Sequence, residues 1–71
     1  MNFMATRKGD GWTSRPTTEW ERRQTRDLFG TDELPLPFTS AATADHLATF
    51  YRQRGASVTV ENSTQVKVEG L

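Results

Sequence analysis

The stretch that decides the fold is "SVTVENSTQVKVE", residues 57–69, in which valine alternates with polar residues in two successive runs. Alternation with a period of two places every second side chain on the same face of a β-strand. The Asn-Ser-Thr segment between the runs is typical of a turn. The sequence therefore predicts two half-buried strands joined as a hairpin.

The register of this hairpin follows from where the valines must face. A two-residue turn would put the valines of the two strands on opposite faces. A three-residue loop, 62–64, instead pairs Val60 with Val66 and Val58 with Val68, so that all four share one face. A five-residue loop preserves the same parity. We predict the register in which the four valines face the core together.

An amphipathic helix is predicted upstream of the hairpin. Thr39 or Ser40 can cap its N-terminus, and Gly55 can end it after Arg54. On a wheel of 3.6 residues per turn the apolar face carries Ala44, Leu47, Ala48 and Tyr51, with Phe50 at its edge. We expect this face to pack on the valine face of the hairpin.

The segment "ELPLPF", residues 33–38, predicts an edge strand. One face of such a strand carries Leu34, Leu36 and Phe38. Pro35 and Pro37 have no backbone N–H, and alternate residues point to the same edge, so only one edge of the strand is disabled. This arrangement stops a sheet from growing. A polyproline-like extended segment without ladder hydrogen bonds fits the same residues, and the sequence leaves both readings open.

The first eighteen residues show no clear apolar periodicity and are rich in Gly, Thr, Arg and Ser. We interpret residues 1–18 as a flexible arm. Gly9-Asp10-Gly11 within this arm is interpreted as a flexible turn, because it neither follows a predicted strand nor opens a capped helix as a phosphate-binding loop would.

A short helix is predicted over residues 19–30. Thr18 and Glu21 fit a capping box, and Gly30 can end the helix in a left-handed conformation. The i,i+4 pairs Glu19–Arg23 and Arg23–Asp27 would each add a few tenths of a kcal/mol. This helix carries few apolar residues, so we expect it to be stable only when it docks on something.

Together these elements predict an α+β fold. The core, residues 31–71, is a small two-layer domain in the order β-α-β-β, with one main helix on a two- or three-stranded sheet. The flexible arm and the short helix precede it. Because a chain of 71 residues builds only a small core, we expect the short helix or a second copy of the protein to add to that core.

Composition narrows the function. The chain has no cysteine and a single histidine, His46, so we predict no disulfide, no metal site and no other cofactor. The sequence shows neither the pattern of a secretory signal nor an apolar run long enough to span a bilayer. We therefore predict a cytoplasmic protein with no membrane association. The first thirty residues carry six bases and four acids, whereas the remainder carries three bases and five acids. This asymmetry is too mild to predict strong nucleic-acid binding.

No constellation of residues predicts catalysis. Asp45 and His46 are neighbours on a helix and therefore point about 100° apart. Glu19 and Glu21 lie on different sides of their helix, which does not suit paired-carboxylate chemistry. A fold this small is also expected to offer little concave volume for a buried pocket. We predict a protein that is not an enzyme and has no catalytic residues.

The tryptophans and arginines of the N-terminal part predict protein binding, because Trp and Arg are enriched at binding hot spots and large apolar side chains are costly to expose. The candidate partner-binding residues are Trp12, Arg15, Trp20, Arg22, Arg23, Arg26, Leu28 and Phe29. An equally good interpretation is that the aromatic members cover the sheet or the helix in the free protein.

The functional hypothesis is a non-catalytic protein-binding module that acts as a small regulator or inhibitor of a larger macromolecular machine. By analogy of size alone, phage proteins that regulate transcription by binding a host RNA polymerase are one example of this class. The alternative is weak nucleic-acid binding through the N-terminal arm, since interleaved arginines and tryptophans suit phosphate contact and base stacking. A homodimer is compatible with both hypotheses.

Overall fold

The computed structural model describes residues 1–71 and contains one five-stranded antiparallel sheet with two helices. In chain order the elements are β1 (Phe3–Lys8), β2 (Gly11–Pro16), α1 (Glu19–Phe29), β3 (Leu34–Thr39), α2 (Ala44–Arg52), β4 (Ser57–Asn62) and β5 (Gln65–Glu69). The strand order in the sheet is β3-β2-β1-β5-β4. The predicted α+β class is confirmed, but the sheet is larger than the two or three strands expected. Neither helix is long and apolar enough to cross a bilayer.

The prediction of a flexible arm is wrong for residues 3–16, which form a β-hairpin in the interior of the sheet. Lys8 pairs with Gly11 across a two-residue turn, and Gly9 takes the positive φ of 53° that such a turn needs at its first position. β1 is hydrogen-bonded on both sides, to β2 and to β5. Polar composition suggested disorder, but pairing along both edges of β1 and the burial of Phe3 and Trp12 order the segment.

The register predicted for the C-terminal hairpin is confirmed, since Val58 pairs with Val68 and Val60 with Val66. The loop is built differently from the three-residue loop expected. Asn62 pairs with Gln65 around a two-residue turn. Between Val60 and Asn62 the register shifts by one residue, as in a β-bulge, and this shift keeps the four valines on one face. The side-chain oxygen of Asn62 accepts hydrogen bonds from the backbone N–H and the hydroxyl of Thr64, both at 2.9 Å. These bonds close the turn without a left-handed residue.

Helix α2 begins later than predicted. Its N-cap is Thr43, whose hydroxyl oxygen accepts from the amide of His46 at 3.2 Å, rather than Thr39 or Ser40. The apolar face is as predicted, because the buried residues of α2 are Ala44, Leu47, Ala48 and Tyr51. The helix lies above β4 and β5. The side chain of Tyr51 also contacts residues of β1 and β3. Its ring lies 5.4 Å from that of Phe3 and 6.0 Å from that of Phe38.

Strand β3 lies at the edge of the sheet and pairs only with β2, so the edge-strand prediction is confirmed. It does not neighbour the β4–β5 hairpin. Leu34, Leu36 and Phe38 are half-buried on one face, while Pro35 and Pro37 are exposed. The other edge of the sheet is β4, which contains no proline.

Candidate partner-binding groove

Helix α1 has the predicted boundaries and a variant of the predicted cap. The hydroxyl of Thr18 accepts from the amide of Glu21 at 3.2 Å and donates to the Glu21 carboxylate at 2.9 Å. The predicted capping box would have the Glu21 carboxylate accept from the backbone N–H of Thr18. In the structure this carboxylate accepts from the Thr18 hydroxyl instead. Gly30 ends the helix at φ 78°, and its N–H donates to the carbonyl of Arg26.

Polar contacts attach α1 to the rest of the protein. The guanidinium of Arg22 donates to the carbonyl oxygen of Pro16 at 3.1 Å. Arg26 pairs with the carboxylate of Asp32 at 2.6 Å, and Arg15 pairs with the same carboxylate at 3.3 Å. Asp32 is only 15% exposed and joins the end of β2 to the last turn of α1. These contacts fix the position of the helix without burying its apolar side chains.

The two predicted i,i+4 ion pairs of α1 do not form. Glu19 contacts Arg22 at 3.3 Å instead of Arg23, and neither Arg23 nor Asp27 forms a salt bridge. Arg22 is half-buried against β2, where its guanidinium meets both the Pro16 carbonyl and Glu19. Arg23 lies one position further round the helix and is exposed.

The apolar residues of α1 are exposed, and none of its residues is buried. The exposed fractions are 68% for Trp20, 76% for Leu28 and 63% for Phe29. The least exposed residues of α1 are instead polar, namely Glu21, Arg22 and Thr25. Of these three, Arg22 contacts the sheet, through the carbonyl of Pro16. The apolar side chains of α1 are left to form part of the wall of a groove.

This groove lies between α1 and the part of the sheet that α2 leaves uncovered, and its volume is about 610 Å³. From α1 it is lined by Trp20, Glu21, Gln24, Thr25, Leu28 and Phe29, and from the remainder of the chain by Met1, Asn2, Phe3, Ser14, Pro16, Leu34, Leu36, Tyr51 and Leu71. This volume lies within the range of ligand-binding clefts, which is roughly 300–1,000 Å³. The groove is partly open to solvent, so it is not a buried pocket.

The eight candidate residues separate into four environments. Trp20, Leu28 and Phe29 line the groove. Three arginines take part in the polar contacts that attach α1 to the rest of the protein, namely Arg15, Arg22 and Arg26. Arg23 extends into solvent. Trp12 is buried in the core at 2% exposure. The structure thus brings three of the eight residues together on one apolar surface.

The core-facing residues of the groove were not among the candidates; they are Phe3, Leu34, Leu36 and Tyr51. The alternation in "ELPLPF" placed the two leucines on a common face, and the helical wheel placed Tyr51 on the apolar side of α2. Neither pattern shows which part of the sheet α2 covers. That depends on the strand order, in which β2 and β3 lie on the opposite side of β1 from β4 and β5.

The chemistry of the groove suits apolar binding. Its only charged side chain is Glu21, which is hydrogen-bonded to Thr18. No group of three or more His, Cys, Asp or Glu side chains is placed to hold a metal ion. Comparison of the chain with protein-family models, curated proteins and solved structures found no match, so the groove is interpreted from its own geometry.

Proposed function

We propose that this protein is a non-catalytic protein-binding module whose groove receives an amphipathic helical segment of another protein. The observation that carries the proposal is the exposure of Trp20, Leu28 and Phe29 beside an apolar groove. Large apolar side chains that cluster in an exposed patch mark interaction surfaces, and Trp is the residue most enriched at binding hot spots.

A helix is the occupant that the surroundings favour. The backbone of α2 lies above β4 and β5, and the side chain of its Tyr51 reaches Phe3 and Phe38 beyond them. A second helix beside α2 would complete the layer. Helix α1 has eleven residues and is therefore about 16 Å long at 1.5 Å per residue. A groove bordered by a helix of this length has room for the i, i+4 and i+7 anchors of one amphipathic helix. Near Glu21 we expect the partner to be neutral or basic.

Such a module would act by occupying a surface of a larger assembly, as a small regulator or inhibitor. The alternative, nucleic-acid binding through Arg and Trp side chains, is less well supported. Trp12 is in the core, and Arg15 and Arg26 are both engaged in ion pairs with Asp32. Phosphate contacts require free cations, and base stacking requires exposed aromatic rings.

The proposal is tested by site-specific photo-crosslinking in the cells that produce the protein. Benzoylphenylalanine is placed at Leu28, in the groove, and at Arg23, on the opposite side of the same helix, as the matched control. We expect one protein to be crosslinked from position 28 and not from position 23. With that protein purified, Leu28→Asp should weaken binding about tenfold or more, whereas Arg23→Gln should leave it unchanged.

Identical crosslinks from both positions would contradict the proposal, as would crosslinks to nucleic acid or only to other copies of this chain. Binding that weakens steeply with salt and is lost with Arg23→Gln would favour the nucleic-acid alternative.

A further inference from the structure

The two edges of the sheet differ in their capacity to pair. β3 carries Pro35 and Pro37, which have no N–H to offer a neighbouring strand. β4 is six residues long, reads SVTVEN and retains every backbone donor. Exposed edges of this kind pair with other strands unless something blocks them. On this edge the carbonyl oxygen of Val58 already accepts from Arg52 at 2.9 Å and keeps a second lone pair for a neighbouring strand. The edge at β4 is therefore more open to pairing than the edge at β3.

We infer that β4 pairs with β4 of a second copy of this chain, in an antiparallel two-fold arrangement centred on Thr59, to form a continuous ten-stranded sheet. This interface lies on the opposite side of the molecule from β3 and does not use the groove. It is therefore independent of the proposed function.

The register centred on Thr59 is compatible with the side chains. Val58 lies opposite Val60 of the second copy, and these half-buried valines would complete each other's burial on the α2 face. Thr59 lies opposite Thr59, and Ser57 lies opposite Glu61. No pair of like charges is brought together, and cross-strand pairs of β-branched residues stabilise antiparallel sheets.

The spacing of the two α2 helices fits the same arrangement. Each α2 lies above β4 and β5, and neighbouring strands are about 4.8 Å apart. A helix centred over the boundary between β4 and β5 is then about one strand spacing from the two-fold axis. The two helices lie about 10 Å apart, which is a normal distance for packed helices.

The charges on α2 are complementary under this symmetry. The side of α2 that faces the β4 edge carries Asp45 at one end and Arg52 at the other. Arg52 is placed there by its hydrogen bond to the carbonyl of Val58, at 2.9 Å. Asp45 shares a surface hollow with Val60 and Asn62. Because Val58 of one copy lies opposite Val60 of the other, each Arg52 is brought next to Asp45 of the second copy.

Two symmetric ion pairs therefore flank the helix contact. Asp45 and Arg52 are seven positions apart and share one side of the helix, with the small Ala48 and Thr49 between them. Neither Asp45 nor Arg52 has a salt-bridge partner within the single chain. The overall formal charge is zero, so no net repulsion opposes association.

The test uses charge reversal and mixing. Sedimentation equilibrium of the purified chain should show a dimer that dissociates on dilution. In a dimer of the Asp45→Arg variant, each Arg52 would lie next to an arginine of the second copy. In a dimer of the Arg52→Asp variant, each Asp45 would lie next to an aspartate. The dimer dissociation constant of each variant alone should therefore rise about tenfold or more. A one-to-one mixture of the two variants restores both opposite-charge pairs and should recover the dimer. Gln53→Arg, an added charge away from this edge, is the control and should leave the dimer intact.

Circular dichroism of each variant verifies that it is folded, and recovery in the mixture excludes misfolding as the cause of dissociation. A wild-type chain that is monomeric at the millimolar concentrations used for NMR would overturn the inference. It would also be overturned if either single variant kept the dimer, if the mixture stayed monomeric, or if Leu28→Asp in the groove abolished the dimer.

Discussion

The indole N–H of Trp12 donates to the carbonyl oxygen of Ala42 at 2.9 Å. Trp12 lies in β2 and is 2% exposed, and Ala42 lies in the turn before α2. This bond joins the interior of the sheet to the segment that positions the helix layer. A residue interpreted from sequence as part of a binding arm is thus a structural member of the core.

We expect Trp12→Phe to destabilise the protein by about 1–3 kcal/mol, because the part-buried carbonyl of Ala42 loses its donor. Urea unfolding measures this change. The matched control is Trp20→Phe, at an exposed site, where the free energy of unfolding should change by no more than about 0.5 kcal/mol. Equal effects of the two substitutions would contradict this account of the core.

Asp32→Asn should loosen α1 without unfolding the sheet. The carboxylate of Asp32 holds both Arg15 and Arg26, and α1 has no buried residue to replace that attachment. We expect faster amide hydrogen exchange in α1, with a loss of global stability below about 1 kcal/mol. Asp27→Asn, on the same helix and without a salt bridge, should leave the exchange unchanged. Unaltered exchange in Asp32→Asn would show that the ion pairs do not hold the helix.

Replacing both Pro35 and Pro37 by Thr should convert β3 into an edge that can pair. The substitutions restore two backbone N–H groups on a strand that has only one neighbour. We expect self-association beyond the wild-type state, detected as a concentration-dependent rise in light scattering. Pro16→Thr, in the inner strand β2, adds a donor without creating a new edge and serves as the control. Scattering equal to wild type in the double variant would mean that the prolines do not protect the edge.

The acid stability of the protein should depend in part on Glu33. Hydrogen bonds from Lys8 and Thr13 hold the pKa of the Glu33 carboxyl below its ordinary value of 4.5. Ionised Glu33 therefore stabilises the folded state above pH 4.5, and this contribution is lost as the pH falls through the folded-state pKa. The pair is partly exposed, so its contribution should be below about 1 kcal/mol.

Glu33→Gln should accordingly lower stability at neutral pH and reduce the further loss on acidification, measured by urea unfolding from neutral to acidic pH. Glu61→Gln, at an exposed carboxylate without a salt bridge, should preserve the wild-type pH profile. A Glu33→Gln profile parallel to that of wild type would contradict the assignment.

Local signals in the sequence predicted the features that depend on local geometry. The valine alternation gave the correct register of β4 and β5, and Thr18 with Gly30 gave the correct bounds of α1. The hairpin of β1 and β2 was missed because β1 has only two buried side chains, Phe3 and Ala5, and derives its order from pairing on both edges. One of those partners, β5, lies at the other end of the sequence.

The groove was predictable only in part. Trp20, Leu28 and Phe29 were identified because a helix with few apolar residues and no evident place to bury them suggests a binding surface. Their opposite wall could not be found in this way, because Leu34 and Leu36 looked like ordinary core positions. Their partial exposure results from the strand order and from the position of α2 above β4 and β5.

The pairing of β1 with β5 has a consequence for how the chain folds. Both hairpins close over short loops, but Phe3 must find Val68 before the two halves of the sheet become one. Contacts of such long sequence separation carry a large loop-closure entropy and slow the search for the native state. We expect the two hairpins to form early and the seam between Ala5 and Val66 to close in the rate-limiting step. Substitutions along that seam should therefore slow folding, whereas substitutions on the exposed face of α1 should leave the folding rate unchanged.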